Sequence, residues 1–322
     1  MMDSLRDSRI LITGAAGFVG ANLTRTLICN GAQVHALARP NTNLWRISEV
    51  LPWLTLHRAD LRDLKELEKI MDDVQPEIIF HLAVHRAAGS PEERLATLES
   101  NVLGTVNLLE ATASHSYRRL IHIGSSLEYG TKTEAMKETD MLDPVTFYGT
   151  TKAASTLLAQ QFGRANNLPI VVLRLFSVYG YWENSTRLVP TAILKALHNQ
   201  DLALTMPGYR RDFIFVEDVM EACLLAVHAR SIAGEIINIG SGKQWSNEEL
   251  VELVQLLSGS SLKIRVGEYP ARASDTTHWV ADNRKARRLL NWKPAHTLRE
   301  GITKTIAWFR LHADIYSSWQ IS

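Results

Sequence analysis

The stretch ILITGAAGFVGANL, residues 10–23, sets an apolar run against three glycines spaced three apart and then a helix-like segment. A strand that ends in such a turn and feeds a helix lets the backbone approach a pyrophosphate, with the helix N-terminus supplying N–H donors. Gly14, Gly17 and Gly20 are therefore read as a dinucleotide cradle. A tight turn with close helix packing and no ligand would use the same glycines.

Outward from this turn, short apolar runs alternate with longer amphipathic stretches. The runs are 9–13, 33–38, 54–57, 77–83, 119–125 and 169–176. Runs this continuous suit strands buried on both faces, and their alternation with helices predicts a doubly wound parallel sheet of α/β class. After Phe176 the rhythm breaks, although FIFV (213–216) and EIINIG (235–240) read as strands that could return to the sheet. The predicted organisation is a dinucleotide-binding domain over 1–176, with 211–240 returning to it. A smaller substrate-binding α/β domain is expected from 177–210 and 241–322, with helices near 246–257, 282–290 and 298–311.

The 322 residues are 46% hydrophobic, enough for a packed core, and 35 basic side chains face 34 acidic ones. A net charge of +1 argues against a nucleic-acid or membrane partner. The basic run Arg284, Lys285, Arg287 and Arg288 reads as the solvated face of an amphipathic helix. Two cysteines, Cys29 and Cys223, make no disulfide framework, and no leader-like or membrane-spanning segment is seen, so a cytoplasmic protein is expected. His81 and His85 lie four apart but where a strand meets a loop, with no HExxH pattern, and no metal is expected.

The end of the second strand reads VHALARPN and lacks the acid that would bond a ribose 2′-hydroxyl, so Arg39 favours NADP(H), with NAD(H) as the alternative. Asp60, closing LHRAD, is read either at the adenine side or as the cap of a helix beginning near Leu64. Tyr148 and Lys152, four apart at the start of a helical stretch, share one face. An ammonium beside the phenol would lower its pKa and suit it to proton exchange with a sugar hydroxyl or ketone. Ser125 and Ser126 follow a buried strand at the sheet's ligand end, where either hydroxyl could bond the reacting oxygen.

Together these residues resemble the extended short-chain dehydrogenases/reductases that act on nucleotide sugars, the epimerase/dehydratase group. The resemblance rests on TGAAGFVG, AD at 59–60, HLA at 81–83, NVLGTVNLLEA from 101, SSLEYG from 125, YGTTK from 148, LRLFSVYG from 173, RRDFIFVEDV from 210, NIGSG from 238 and DNRKARRLLNWKP from 282. It implies Tyr148 as catalytic acid/base, Lys152 on the nicotinamide ribose, and Ser125 as third member of the triad. It further assigns Phe18, Leu61, Leu82, Ala83 and Asn101 to the cofactor site, and Ser126, Ser177, Arg187, Arg211 and Arg272 to a nucleotide-diphosphate sugar. A homodimer through helices near 92–115 and 147–166 is also implied. Leu127 stands where 4,6-dehydratases carry an acid, and Glu128 comes one position late. The expected activity is therefore NADPH-dependent reduction of a 4-keto-6-deoxyhexose, with a 4-epimerase retaining NAD as the alternative. A dehydratase and a non-catalytic NADP(H) sensor stand behind both.

Overall fold

The computed structural model describes residues 5–87 and 89–317; residues 1–4 and 318–322, at the ends of the expected domain boundaries, lie outside them. In chain order the first half runs β1 (Arg9–Thr13), α1 (Phe18–Cys29), β2 (Gln33–Ala38), β3 (Leu54–Arg58), α2 (Leu64–Val74) and β4 (Ile78–His81). It continues with α3 (Pro91–Leu98), α4 (Gly104–Thr112), β5 (Arg119–Ser125), α5 (Phe147–Ala165) and β6 (Ile170–Leu175). The second half holds β7 (Ser177–Tyr179), α6 (Leu188–Leu197), β8 (Leu202–Leu204), β9 (Arg210–Arg211), β10 (Phe213–Phe215), α7 (Val216–His228) and β11 (Ile236–Ile239). It ends with β12 (Trp245–Ser246), α8 (Asn247–Ser258), β13 (Ile264–Val266), α9 (Arg284–Leu290), α10 (Leu298–Leu311) and α11 (Ala313–Ser317).

The main sheet has seven strands in the order β11-β6-β5-β4-β1-β2-β3, all parallel. Successive crossovers run one way from β1 and the other way from β4, which opens a crevice beyond the carboxyl ends of these two strands. The apolar runs became strands because helices cover both faces: Ile10, Ile12, Ile78, Phe80, Ile121 and Val171 are all buried. One expected strand is placed differently. FIFV does not join the main sheet; β10 pairs with β7 in a separate two-stranded sheet, whereas β11 does return, at the edge beside β6. A second difference concerns α2, which starts at Leu64 as read but is capped by Asp63, accepting from Glu66 N, and not by Asp60.

In the second half α8 packs against α6 and α10, and β8 pairs with β13. Their buried side chains, among them Ile193, Val251 and Phe309, join those of β1 and β6 in one continuous core. Of the basic run in α9, Arg284, Arg287 and Arg288 are exposed while Lys285 pairs with Glu235 at 2.6 Å.

One polar network is buried between β5, β6, α5 and β11. Glu128 accepts from Ser125 N at 2.7 Å, Thr156 Oγ1 at 2.9 Å and Arg174 Nε at 2.6 Å. Arg174 also donates to Tyr129 Oη at 3.0 Å, which in turn donates to Asn238 at 2.8 Å. Removing one partner of such a pair leaves the other charge buried and uncompensated. Glu128→Ala should therefore lower unfolding stability by about 3–5 kcal/mol. Urea unfolding checks this, and a loss under about 1 kcal/mol would contradict the network's role.

Candidate active site

The glycine turn has the geometry of an anion cradle. Gly14 adopts φ +74° where β1 meets the crevice, and a Cβ there would stand 2.5 Å from Ala83 N and 2.6 Å from Leu82 C. A Cβ on Gly20 would come 2.1 Å from Gly14 O, so α1 lies on the turn only because residue 20 lacks one. Gly17 caps α1 without a side-chain hydrogen bond, and the first turn of α1, which opens with Phe18, holds no acid. Uncapped donors at a positive dipole end fit a dinucleotide pyrophosphate. Leu82 and Ala83 close the other side: Leu82 N donates to Thr13 O at 3.1 Å and Ala83 N to Thr13 Oγ1 at 3.2 Å.

Beyond β2, Arg39 is exposed, and its carbonyl accepts from the Arg58 guanidinium at 3.0 Å. Asp60 pairs with Arg62 at 2.9 Å, and that hydrogen bond chiefly holds its carboxyl below the usual range, with Arg39 contributing at longer reach. Leu61 is buried against Gly104, and its carbonyl accepts from Asn107 at 2.9 Å.

A chain of buried hydrogen bonds braces the crevice floor. His81 Nδ1 bonds Thr13 Oγ1 at 2.7 Å and its Nε2 bonds Thr105 Oγ1 at 3.0 Å, while burial drives its pKa down to about 3. His85 Nδ1 bonds Thr97 Oγ1 at 2.9 Å. Both histidines thus serve packing, and among the described residues no group of three metal-ligating side chains occurs. Asn101 sits in a π-helical turn, Glu99–Leu103, that interrupts the expected helix near 92–115. Its amide accepts from His85 N at 2.7 Å and donates to His85 O at 2.9 Å and to Thr151 Oγ1 at 3.0 Å. Asn101 therefore ties the loop after β4 to α5, the helix of Tyr148 and Lys152.

α5 is capped by Thr146, which accepts from Gly149 N, and this cap sets Tyr148 in the first turn. Tyr148 is half-buried, and the Ser125 hydroxyl is one of the groups that favour its phenolate. Desolvation raises its pKa; the Arg86 guanidinium, 4.6 Å from the ring centroid, is the foremost opposing cause. This corrects the expectation that Lys152 lowers the phenol. Lys152 is itself buried, with Nζ 3.4 Å from His122 Nε2, and desolvation brings its pKa down to about 8. Arg86 was not singled out in the sequence. Its place depends on two braces: Asn101 holds His85 on one side, and Thr97 donates to Ala87 O on the other.

Four arginines lie toward the same mouth. Arg187, at the N-cap of α6, is 3.8 Å from Glu183 and within electrostatic reach of Arg86, Arg272 and Tyr148. Arg211 pairs with Asp275 at 2.9 Å and stands 4.9 Å over the Trp279 ring. Arg272 donates through its backbone to Asp275 at 2.8 Å and through its guanidinium to Tyr269 Oη at 3.1 Å. Ser126, by contrast, is buried, and its hydroxyl accepts from Trp279 Nε1 at 3.2 Å, so it supports the Arg211–Trp279 stack. Ser177 is held on β7, donating N–H to Asp212 O at 3.0 Å. Three residues on, Gly180 opens a segment in which Trp182 adopts φ +65°, a costly conformation for a bulky side chain. Arg25 stacks on its ring at 4.0 Å, Arg46 donates to its carbonyl at 2.7 Å, and Asn22 donates to Tyr181 O at 2.8 Å.

Because Arg86 is the foremost cation favouring the Tyr148 phenolate, Arg86→Met should move the acidic limb of any Tyr148-dependent rate to higher pH. Arg86→Lys should restore part of the shift. A pH–rate profile of each variant checks this, and an unmoved limb would contradict it.

Comparison with known proteins agrees with this architecture along the whole chain. Residues 10–240 match the model of the NAD dependent epimerase/dehydratase family. A dTDP-glucose 4,6-dehydratase of Neisseria meningitidis is 30% identical, covering 97% of this chain and 95% of the relative. A UDP-glucose 4-epimerase of Lactobacillus helveticus is 27% identical, over 96% and 99% of the two chains. The crystal structure of a Bacillus cereus UDP-glucuronic acid 4-epimerase, in complex with UDP-glucuronic acid and NAD, superposes with a TM-score of 0.85 at 26% identity, covering 94% of this chain and 99% of the other. A family match that runs from β1 to the loop after β11 settles the kinship: this protein is an enzyme of the NAD dependent epimerase/dehydratase family, within the extended short-chain dehydrogenases/reductases.

Proposed function

We propose that the enzyme inverts C4 of a nucleotide-diphosphate hexose by transient oxidation at that carbon, with a retained NAD. The observation that carries this reading is Tyr148 under the Arg86 guanidinium and within reach of Ser125, at the mouth where Arg187, Arg211 and Arg272 gather. The chemistry a nicotinamide supplies when bound is reversible two-electron exchange with the C4–H bond. Tyr148 accepts the C4 hydroxyl proton and returns it when the sugar presents its opposite face. Ser125 holds the C4 oxygen, and Lys152, anchored on His122, orients the nicotinamide ribose. Gly14, Gly17, Gly20 and the start of α1 hold the pyrophosphate, with Phe18, Asp60, Leu61, Leu82, Ala83 and Asn101 around the cofactor. Arg187, Arg211 and Arg272 bind the diphosphate, a task that forked guanidinium donors suit, with Ser177 on the sugar side and Ser126 supporting Arg211 through Trp279. The segments 177–210 and 241–317 form the lobe that carries Ser177, Arg187 and Arg272, and Arg211 stands at its edge on β9, paired with β12.

A second reading, NADPH-dependent reduction of a 4-keto-6-deoxyhexose, is favoured by Arg39 with Arg58 beside it at the end of β2. Against it stands the ionised Asp60, close enough to act on Arg39 and to oppose a 2′-phosphate. Water elimination is less well served: Leu127 carries no acid, and both oxygens of Glu128 are committed to Ser125 N, Thr156 and Arg174.

We further propose a homodimer through α3, α4 and α5, where Leu95, Leu98, Leu103 and Leu157 are exposed apolar side chains. Light scattering should give twice the chain mass, and Leu98→Arg with Leu157→Arg should return it to one chain mass; an unchanged mass would overturn the interface.

The functional reading is tested with purified enzyme, a panel of nucleotide-diphosphate hexoses and proton NMR at C4. Inversion without net cofactor oxidation is expected. Stoichiometric NADPH consumption on a 4-keto sugar would move the ketoreductase to first place. Tyr148→Phe should cut turnover by roughly 10²–10⁴-fold while cofactor binding stays within about twofold, as loss of a positioned acid/base does. Full activity in that variant would sink the assignment.

A further inference from the structure

The arginines at the mouth carry more positive charge than a diphosphate diester neutralises. Arg86, Arg187, Arg211 and Arg272 face two nearby carboxylates, Asp275 and Glu183. Asp275 is bound by Arg211 and by the backbone of Arg272. Glu183 is buried, with Oε2 unpartnered among the described residues, and desolvation pushes its pKa up to about 8, so it is largely uncharged at neutral pH. Three positive charges therefore stand uncompensated. The two phosphates of a nucleotide-diphosphate sugar supply two negative ones.

The location of the third charge follows from Arg86. Among the described residues its guanidinium makes no hydrogen bond or ion pair, yet it is held over the Tyr148 ring at 4.6 Å. Its backbone neighbours are pinned, His85 by Asn101 and Ala87 by Thr97, so the side chain is presented from a fixed base. Arg187 lies within repulsive reach of Arg86 and is itself 3.8 Å from Glu183. An exposed guanidinium with no protein partner among the described residues, within Coulombic reach of a second, favours an anion between the two. If Tyr148 works at C4, the substituents flanking that carbon are the C3 hydroxyl and the group on C5, and of the two only the group on C5 can carry a charge. In a hexuronate that substituent is a carboxylate.

We propose that Arg86, assisted by Arg187, binds a carboxylate on C5, and that the enzyme prefers a nucleotide-diphosphate hexuronate to the corresponding neutral hexose. This rests on the placement of Tyr148 at C4 and names the class of sugar that fits beside it.

The experiment reads binding, because Arg86 also acts on Tyr148 and its loss changes rates on every substrate. NAD-loaded enzyme is titrated calorimetrically at pH 7 with UDP-glucuronate and with UDP-glucose. Roughly tenfold tighter binding of the uronate is expected, about 1.4 kcal/mol, and the gap should narrow as salt is raised. Arg86→Met should bring the two affinities within about twofold by weakening the uronate alone, and Arg86→Lys should keep part of the preference. Arg187→Met should weaken both sugars and also reduce the gap. Equal affinities in the unaltered enzyme, or a gap that survives Arg86→Met, would overturn the proposal. A uronate preference lost in Arg86→Met, with neither sugar inverted at C4, would uphold the anion site and sink the epimerase reading, so the two fail separately.

Discussion

The Glu128 carboxylate is the constraint on which the catalytic geometry depends. One oxygen holds the turn after β5 through Ser125 N and holds α5 through Thr156; the other takes the Arg174 guanidinium from β6. Ser125 and Tyr148 reach each other because these two elements are locked together beneath them. Both members of the pair are almost completely buried, so Coulomb attraction must offset a desolvation cost of several kcal/mol per ion. An apolar pair of similar volume could match its stability. It could not accept the hydrogen bond that Ser125 N donates, so the ion pair is better understood as positioning the turn than as strengthening the core.

The electrostatics above this pair come from burial more than from partner identity. Desolvation raises Tyr148 and lowers Lys152, so each moves toward its neutral form. What charge assists the phenol comes from Arg86, on the loop after β4. In the proposed reaction the tyrosine and lysine of α5 divide the labour: Tyr148 exchanges the proton under a cation from another element, and the lysine is turned inward to His122.

Much of this was legible in the residues. The continuous apolar runs declared the parallel sheet, and the strand, glycines and helix of residues 10–23 declared the cradle, because both signals are local. FIFV misled because four apolar residues look the same in a large sheet as in a two-stranded one, and only the pairing of Phe213–Phe215 with β7 distinguishes them. Asp60 stands three residues before the cap position of a helix that starts at Leu64; Asp63 takes that position, and Asp60 is left to pair with Arg62. Arg86 stayed hidden because nothing near it in the chain marks it. Its significance comes from Asn101 and Thr97, more than ten residues away, and from a ring carried by α5. Ser126 was chosen by adjacency to a strand end, and its partner Trp279 lies 153 positions on.

The π-helical turn at Glu99–Leu103 bears on the proposed dimer face as well as on the site. It leads from α3 into α4 with a single wide turn, which shifts the angular phase of everything that precedes it by roughly 100°, the arc of one residue. At this phase Asn101 points inward to the loop of Arg86, while Leu95, Leu98 and Leu103 point outward. A one-residue deletion that relaxed the turn to a regular helix would rotate both sets at once. The outward apolar stripe and the inward clamp are thus two sides of one rod with a common setting, and neither can be re-aimed without moving the other.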